Sequence, residues 1–157
     1  MRKIYKYIII FLAGAMIIAQ FFRPQKNLGA ITSEHIFEQE KLPAEIKTII
    51  TNACLDCHSN HTNYLWYHKI APVSWMINDH IMEGKKELNF SEWGKLNAFD
   101  KIGILGKICD EVKDGEMPIK AYTLMHKKSR LSKEEKTALC AWTERLSEGI
   151  LAQSEKQ

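Results

Sequence analysis

Two cysteines and a histidine stand together in Cys54-Leu55-Asp56-Cys57-His58, and that string carries one specific chemistry. Thiols three positions apart can each add across one of the two vinyl groups of a haem. The histidine that follows is carried beneath the ring, where its imidazole can ligate the iron. Covalent anchor (Cys54, Cys57) and proximal ligand (His58) would thus come from five consecutive residues. Other uses of such a pair fit less well. A thioredoxin-like couple follows a strand in a βαβ context, and no such context is visible here. A structural zinc site needs a second closely spaced pair, yet Cys109 and Cys140 are far apart and neither has a Cys or His two to five residues away.

A six-coordinate iron also needs a donor from the opposite face, and Gly115-Glu116-Met117-Pro118 offers one. The thioether of Met117 is a soft donor that stabilises ferrous iron and raises the potential, and the proline after it stiffens the loop. Histidine is the alternative, and it would lower the potential. His80, on the apolar side of a helical pattern, and His126, between Met117 and Ser132, are the main rivals. His68 is also available, whereas His61 is too close to His58 to reach the other face easily.

The elements that must hold these groups read as helices. Pro43 opens one whose Ile46, Ile49, Ile50 and Ala53 form a stripe leading straight into Cys54. An aromatic-rich loop follows from Ser59 to Lys69. Pro72 restarts a helix through Met82 to Gly84, with Val73, Met76, Ile77, His80 and Ile81 on one side. A third spans Asp100 to Asp114 and stops at Gly115, and its face carries Ile102, Leu105, Ile108, Cys109 and Val112. Ser132-Lys133-Glu134-Glu135 is a capping box that opens the last helix, with Leu139, Cys140, Trp142 and Leu146 periodic and Gly149 as its end. Alternating β-branched runs and hairpin turns are missing, so the class is all-α. Cys109 and Cys140 could pair in an oxidising compartment or remain as buried thiols.

Arg2, Lys3 and Lys6 precede an uncharged stretch from Tyr7 to Phe22, closed by Arg23, which is the pattern of a secretory signal or signal anchor. The stretch lies between the length of a signal's apolar region and that of a full transmembrane helix. Ala13-Gly14-Ala15 has the form of a cleavage site, but Met16 to Phe22 stay mostly apolar beyond it. Residues 1–22 therefore read as an uncleaved signal anchor or transmembrane segment, 23–42 as a polar tether, 43–149 as the domain and 150–157 as a polar tail. Of 22 Lys and Arg residues, five fall in the first 26 positions, leaving 17 against 19 acidic residues and no electrostatic case for nucleic acid. A periplasmic or other extracytoplasmic location follows, with the chain anchored in the inner membrane. It suits thioether attachment, which uses reduced cysteines and dedicated maturation machinery on that side.

Beyond the pentapeptide, the chain carries Ser59-Asn60, Trp66-Tyr67, Ile70-Ala71-Pro72-Val73-Ser74-Trp75, Glu83-Gly84, Leu88-Asn89-Phe90-Ser91-Glu92-Trp93, and Gly115-Glu116-Met117-Pro118 with Tyr122 and His126. Over roughly residues 35 to 147 this set resembles the small haem-binding domain family of exported c-type cytochromes. The resemblance implies a cytochrome c-like fold around one haem c held by Cys54, Cys57 and His58, and leaves Met117 and the histidines open as sixth ligand. The reading is an electron carrier working with redox partner proteins. A haem sensor or peroxidase-like enzyme with an open sixth site is the alternative, for which no distal acid–base group stands out. Tyr64, Trp66, Tyr67, Trp75 and Trp93 could wall the pocket or serve as core.

Overall fold

The computed structural model describes residues 2–155. Its α-helices are α1 (Arg2–Ala19), α2 (Ile36–Gln39), α3 (Ala44–Ala53), α4 (Leu55–His58), α5 (Val73–Glu87), α6 (Ala98–Asp114), α7 (Lys120–Met125) and α8 (Lys133–Ser154). Short 3₁₀ turns lie at Trp66–Lys69, Phe90–Lys95 and Lys127–Ser129. Among the described residues the strand-like pairing is limited to one antiparallel bridge, Leu28 with His61. The all-α class is observed.

Local chemistry sets the two helices that pack together most extensively, α6 and α8. In α8 the Ser132 hydroxyl accepts from the Glu135 N–H at 3.1 Å, and the Glu135 carboxylate accepts from the Ser132 N–H at 2.7 Å, completing the capping box. In α6 the Asn97 side chain accepts from the Asp100 N–H at 2.9 Å, so that helix begins two residues before Asp100. It ends at Gly115, whose φ of 78° only glycine adopts without strain. Cys109 and Cys140 face each other across this interface with Cα atoms 4.9 Å apart and are joined as a disulfide. Leu105 and Val112 of α6 meet Leu139 and Trp142 of α8 in one core with Ile46, Ile49 and Ile50 of α3 and with Phe90 and Trp93.

Beside the earlier start of α6 and the run of α5 past Gly84 to Glu87, three larger differences from the sequence reading stand out. Helix α8 passes through Gly149 to Ser154, because Ile150 packs on the core and an interior glycine costs only about 1 kcal/mol. Most of the expected polar tail is thus helix. Residues 23–42, read as a tether, lie against the domain: Ile36 is fully buried in the core and His35 is buried beside it. Asn27 is fixed through its side chain to the Ser59 carbonyl, Thr62 and Lys85.

The third difference concerns the N-terminus. No helix among the described residues is long and apolar enough to cross a membrane, so the expected anchor at 1–22 finds no support as a spanning segment. Arg2, Lys3 and Lys6 occupy the start of α1, and the apolar part from Tyr7 to Ala19 extends only about 20 Å at ~1.5 Å per residue. A bilayer core of about 30 Å is thicker than that.

Candidate functional site

The apolar face of α3 delivers the chain to Cys54, which ends α3 and begins α4 in one step. Its carbonyl accepts from the Cys57 and His58 N–H groups at 3.2 and 2.9 Å, winding the five motif residues into a single tight turn. Helix α5 packs directly on this turn at Gly84. A Cβ there would stand 3.0 Å from the Cys57 carbonyl oxygen and 3.2 Å from the Cys57 Cβ, so any larger residue would push the motif turn back by a few tenths of an ångström.

That packing aims His58. Its Nδ1 lies 3.1 Å from the Leu88 carbonyl just past the end of α5. A carbonyl can only accept, so Nδ1 carries the proton of this bond. Burial pulls the imidazole pKa down, outweighing the opposite pull of the Leu88 and Gly84 carbonyls, and the ring is neutral at pH 7. The lone pair is then left on Nε2, the arrangement in which second-shell hydrogen bonds orient a ligating histidine.

Two cavities meet at this ring. One of about 290 Å³ is lined chiefly by apolar groups including Ile50, Leu88, Ile108 and Trp142, with Cys54 in its wall. The other, of about 220 Å³, has Cys57, His80, Gly84 and Tyr122 in its wall. His58, Ala53, Glu87, Met117 and Pro118 line both. Together they fall within the roughly 300–1,000 Å³ of cofactor sites. Burial raises the Cys54 thiol to about 12, with the neighbouring Cys57 adding to it. Burial and then the Asp56 charge raise Cys57 to about 11. Both cysteines are free, neutral thiols at pH 7.

Met117 reaches the cavities from the loop after α6. The Glu111 carbonyl accepts from the Glu116 and Met117 N–H groups, both at 3.0 Å, which folds the loop back over the helix end. Of the two histidine rivals, His80 lines the smaller cavity with His58, whereas His126 lines neither. His126 stacks on Tyr122 at 3.9 Å between ring centroids, and its Nε2 bonds the Tyr67 hydroxyl at 2.6 Å in an adjoining cavity of about 320 Å³ that shares Cys57, His80 and Tyr122 with the smaller one. His68 is buried, its Nδ1 accepting from the Leu65 N–H, and His61 is exposed beside Gly29.

Sequence reasoning missed the strut that ties the two sides together. Asp56, the buried third residue of the motif turn, accepts from the Tyr122 hydroxyl at 2.8 Å and from both the backbone and the side-chain amide of Asn63. Tyr122 is held far above its ordinary pKa by burial and by that carboxylate, and it donates. The segment that follows Met117 is thereby fastened to the segment that carries the cysteines. None of Tyr64, Trp66, Tyr67, Trp75 and Trp93 lines the His58 cavities; Trp93 is core, and Phe90 and Trp142 supply the aromatic walls.

A family model described as a haem-binding domain matches residues 14–145, well over half of the chain. The chain belongs to this haem-binding-domain family. No curated protein and no solved structure matches it. The residues present suit the group that the family binds. An apolar slot, two neutral thiols in its walls, a neutral imidazole with a free nitrogen and a thioether along the same cavities are the donors a haem-binding domain calls for.

Proposed function

We propose that the protein is a monohaem c-type cytochrome, exported to the outer face of the membrane, that passes single electrons between redox partners. The observation that carries this reading is that His58 and Met117 share both cavities while Cys54 and Cys57 each stand in the wall of one. Haem c, when bound, supplies one-electron cycling of its iron between the ferric and ferrous states. Cys54 and Cys57 would hold it through thioethers, with the maturation machinery as a partner in forming them. His58 would ligate through Nε2, its ring already oriented by Leu88.

Met117 would supply the sixth ligand in this reading. Its loop is pinned by the Glu111 carbonyl and braced by the Asp56–Tyr122 strut, which supports a closed carrier over an open catalytic site. His126 is spent on Tyr67 and lines neither His58 cavity, so the remaining rival is His80. The apolar lining would limit water at a bound haem, and the exposed Glu87 and Lys107, which line the larger cavity, would offer charged groups to a partner there.

Expression with a maturation system, followed by spectra of the Met117→Ala and His80→Ala variants, tests the reading. Met117→Ala should abolish the sulfur-to-iron charge-transfer absorption of the oxidised protein, lower its potential and admit carbon monoxide on reduction. His80→Ala should change none of these. The reverse outcome would make His80 the ligand, and carbon monoxide binding by the unaltered protein would favour the sensor or peroxidase-like alternative.

A further inference from the structure

Arg23, Lys26 and Lys69 converge on a depression of about 50 Å³ where the chain leaves α1, and Tyr64, His68, Ser74 and Asn78 help complete it. No Asp or Glu lines it, and none of the three cations takes part in an ion pair among the described residues. Arg23 uses its Nε on the Gln20 carbonyl at 3.0 Å, and the Lys26 ammonium lies 5.8 Å from the centre of the Tyr64 ring.

Ser74 lines the same depression. Ser74 is 4% exposed, and its Oγ is the one buried side-chain N or O atom among the described residues that lacks a hydrogen-bond partner. A buried hydroxyl without a partner is costly, and three cationic residues without an ion pair line the same space. Ser74 is also the second residue of the 15-residue helix α5, whose dipole adds positive potential there. Each of these features is relieved by one kind of ligand, a small oxyanion. At roughly 10–15 Å³ of such space per water molecule, the depression has room for a few waters or one small oxyanion.

The surroundings indicate where such a phosphate comes from. Phe21, Phe22 and Trp66 are 82%, 67% and 71% exposed, and Ile70 and Trp75 are also exposed. These groups are held together: the Trp75 indole N–H donates to the Phe22 carbonyl at 2.6 Å, and the Gln20 amide pairs with both backbone groups of Ala71. Exposed aromatics next to an exposed apolar helix suit the headgroup level of a bilayer, where amphipathic rings sit at either face. We propose that Arg23, Lys26, Lys69 and Ser74 bind the phosphate of an anionic phospholipid, with Phe21, Phe22, Trp66 and Trp75 seated among the headgroups around it. The site shares no residue with the two His58 cavities, and it stands whether or not haem is attached.

The test is calorimetry on the full chain in a non-ionic detergent, titrated in one arm with phosphatidylglycerol in mixed micelles and in the other with inorganic phosphate. Phosphatidylglycerol should bind more tightly than phosphate. Combining Arg23→Gln with Lys69→Gln should weaken both by about tenfold or more, and Ser74→Ala by a few-fold, without lowering the thermal midpoint. Trp66→Ala should weaken only the lipid arm. Equal affinity for phosphate and lipid with no effect of Trp66→Ala would overturn the lipid assignment. Lipid binding indifferent to the Arg23, Lys69 and Ser74 variants, or no binding in either arm, would overturn the site itself.

Discussion

The chain holds two pairs of cysteines, and the contrast between them shows how placement decides what a thiol does. Cys54 and Cys57 lie within one turn of α4, free, held neutral by burial, and set in the walls of cavities that His58 and Met117 share. Cys109 and Cys140 come from α6 and α8, 31 residues apart, and are joined where those helices pack. Neither lines a His58 cavity. Local winding displays the reactive pair, whereas long-range packing makes the clasp.

Breaking each pair in turn should separate the two roles. With Cys54→Ser and Cys57→Ser together, all covalent haem should disappear from a denaturing gel stained for haem. In the folded protein before haem attachment, alkylation of these two thiols at pH 8 should run at least about a hundredfold slower than in urea, since thiolate is the reacting form. The pH sign follows from the raised values. Burying these thiols neutral favours the fold below about pH 9 and loses that contribution as pH rises through about 11 to 12, which an alkaline unfolding titration would reveal. With Cys109→Ser and Cys140→Ser together, haem should remain attached while stability to denaturant falls by about 2–4 kcal/mol. Loss of haem from that variant would end the division of roles.

A smaller effect sharpens the same contrast on the reactive side. Tyr122→Phe removes the donor that satisfies buried Asp56 and should cost about 1–3 kcal/mol. It should also loosen Met117, which would appear as faster exchange of the sixth ligand for carbon monoxide or imidazole. An unchanged exchange rate would reduce the strut to packing alone.

What could be read in advance divides along the same line. The motif turn, the capping box at Ser132, the stop at Gly115 and the loop bearing Met117 are local patterns, and each appears where its residues stand. The Asp56–Tyr122 strut spans 66 residues, and neither residue carries a periodic or motif signal for the other. Gly84 resembled a helix end, yet its missing side chain serves the contact with Cys57 inside α5. Residues 23–42 are polar enough to suggest a tether, and only the tertiary contacts of Asn27 and Ile36 make them part of the domain. Helix periodicity marked the buried faces of α3, α6 and α8, whereas on the expected face of α5 only Ile81 is buried and Met76 is exposed.

Extraction of the purified holoprotein with acidified acetone puts the most direct question to the chain, because that solvent strips haem held by coordination and packing alone. The account predicts that the colour stays with the polypeptide and that intact mass exceeds the apo value by one haem. Colour passing entirely into the solvent, with the bare chain mass left behind, would contradict it.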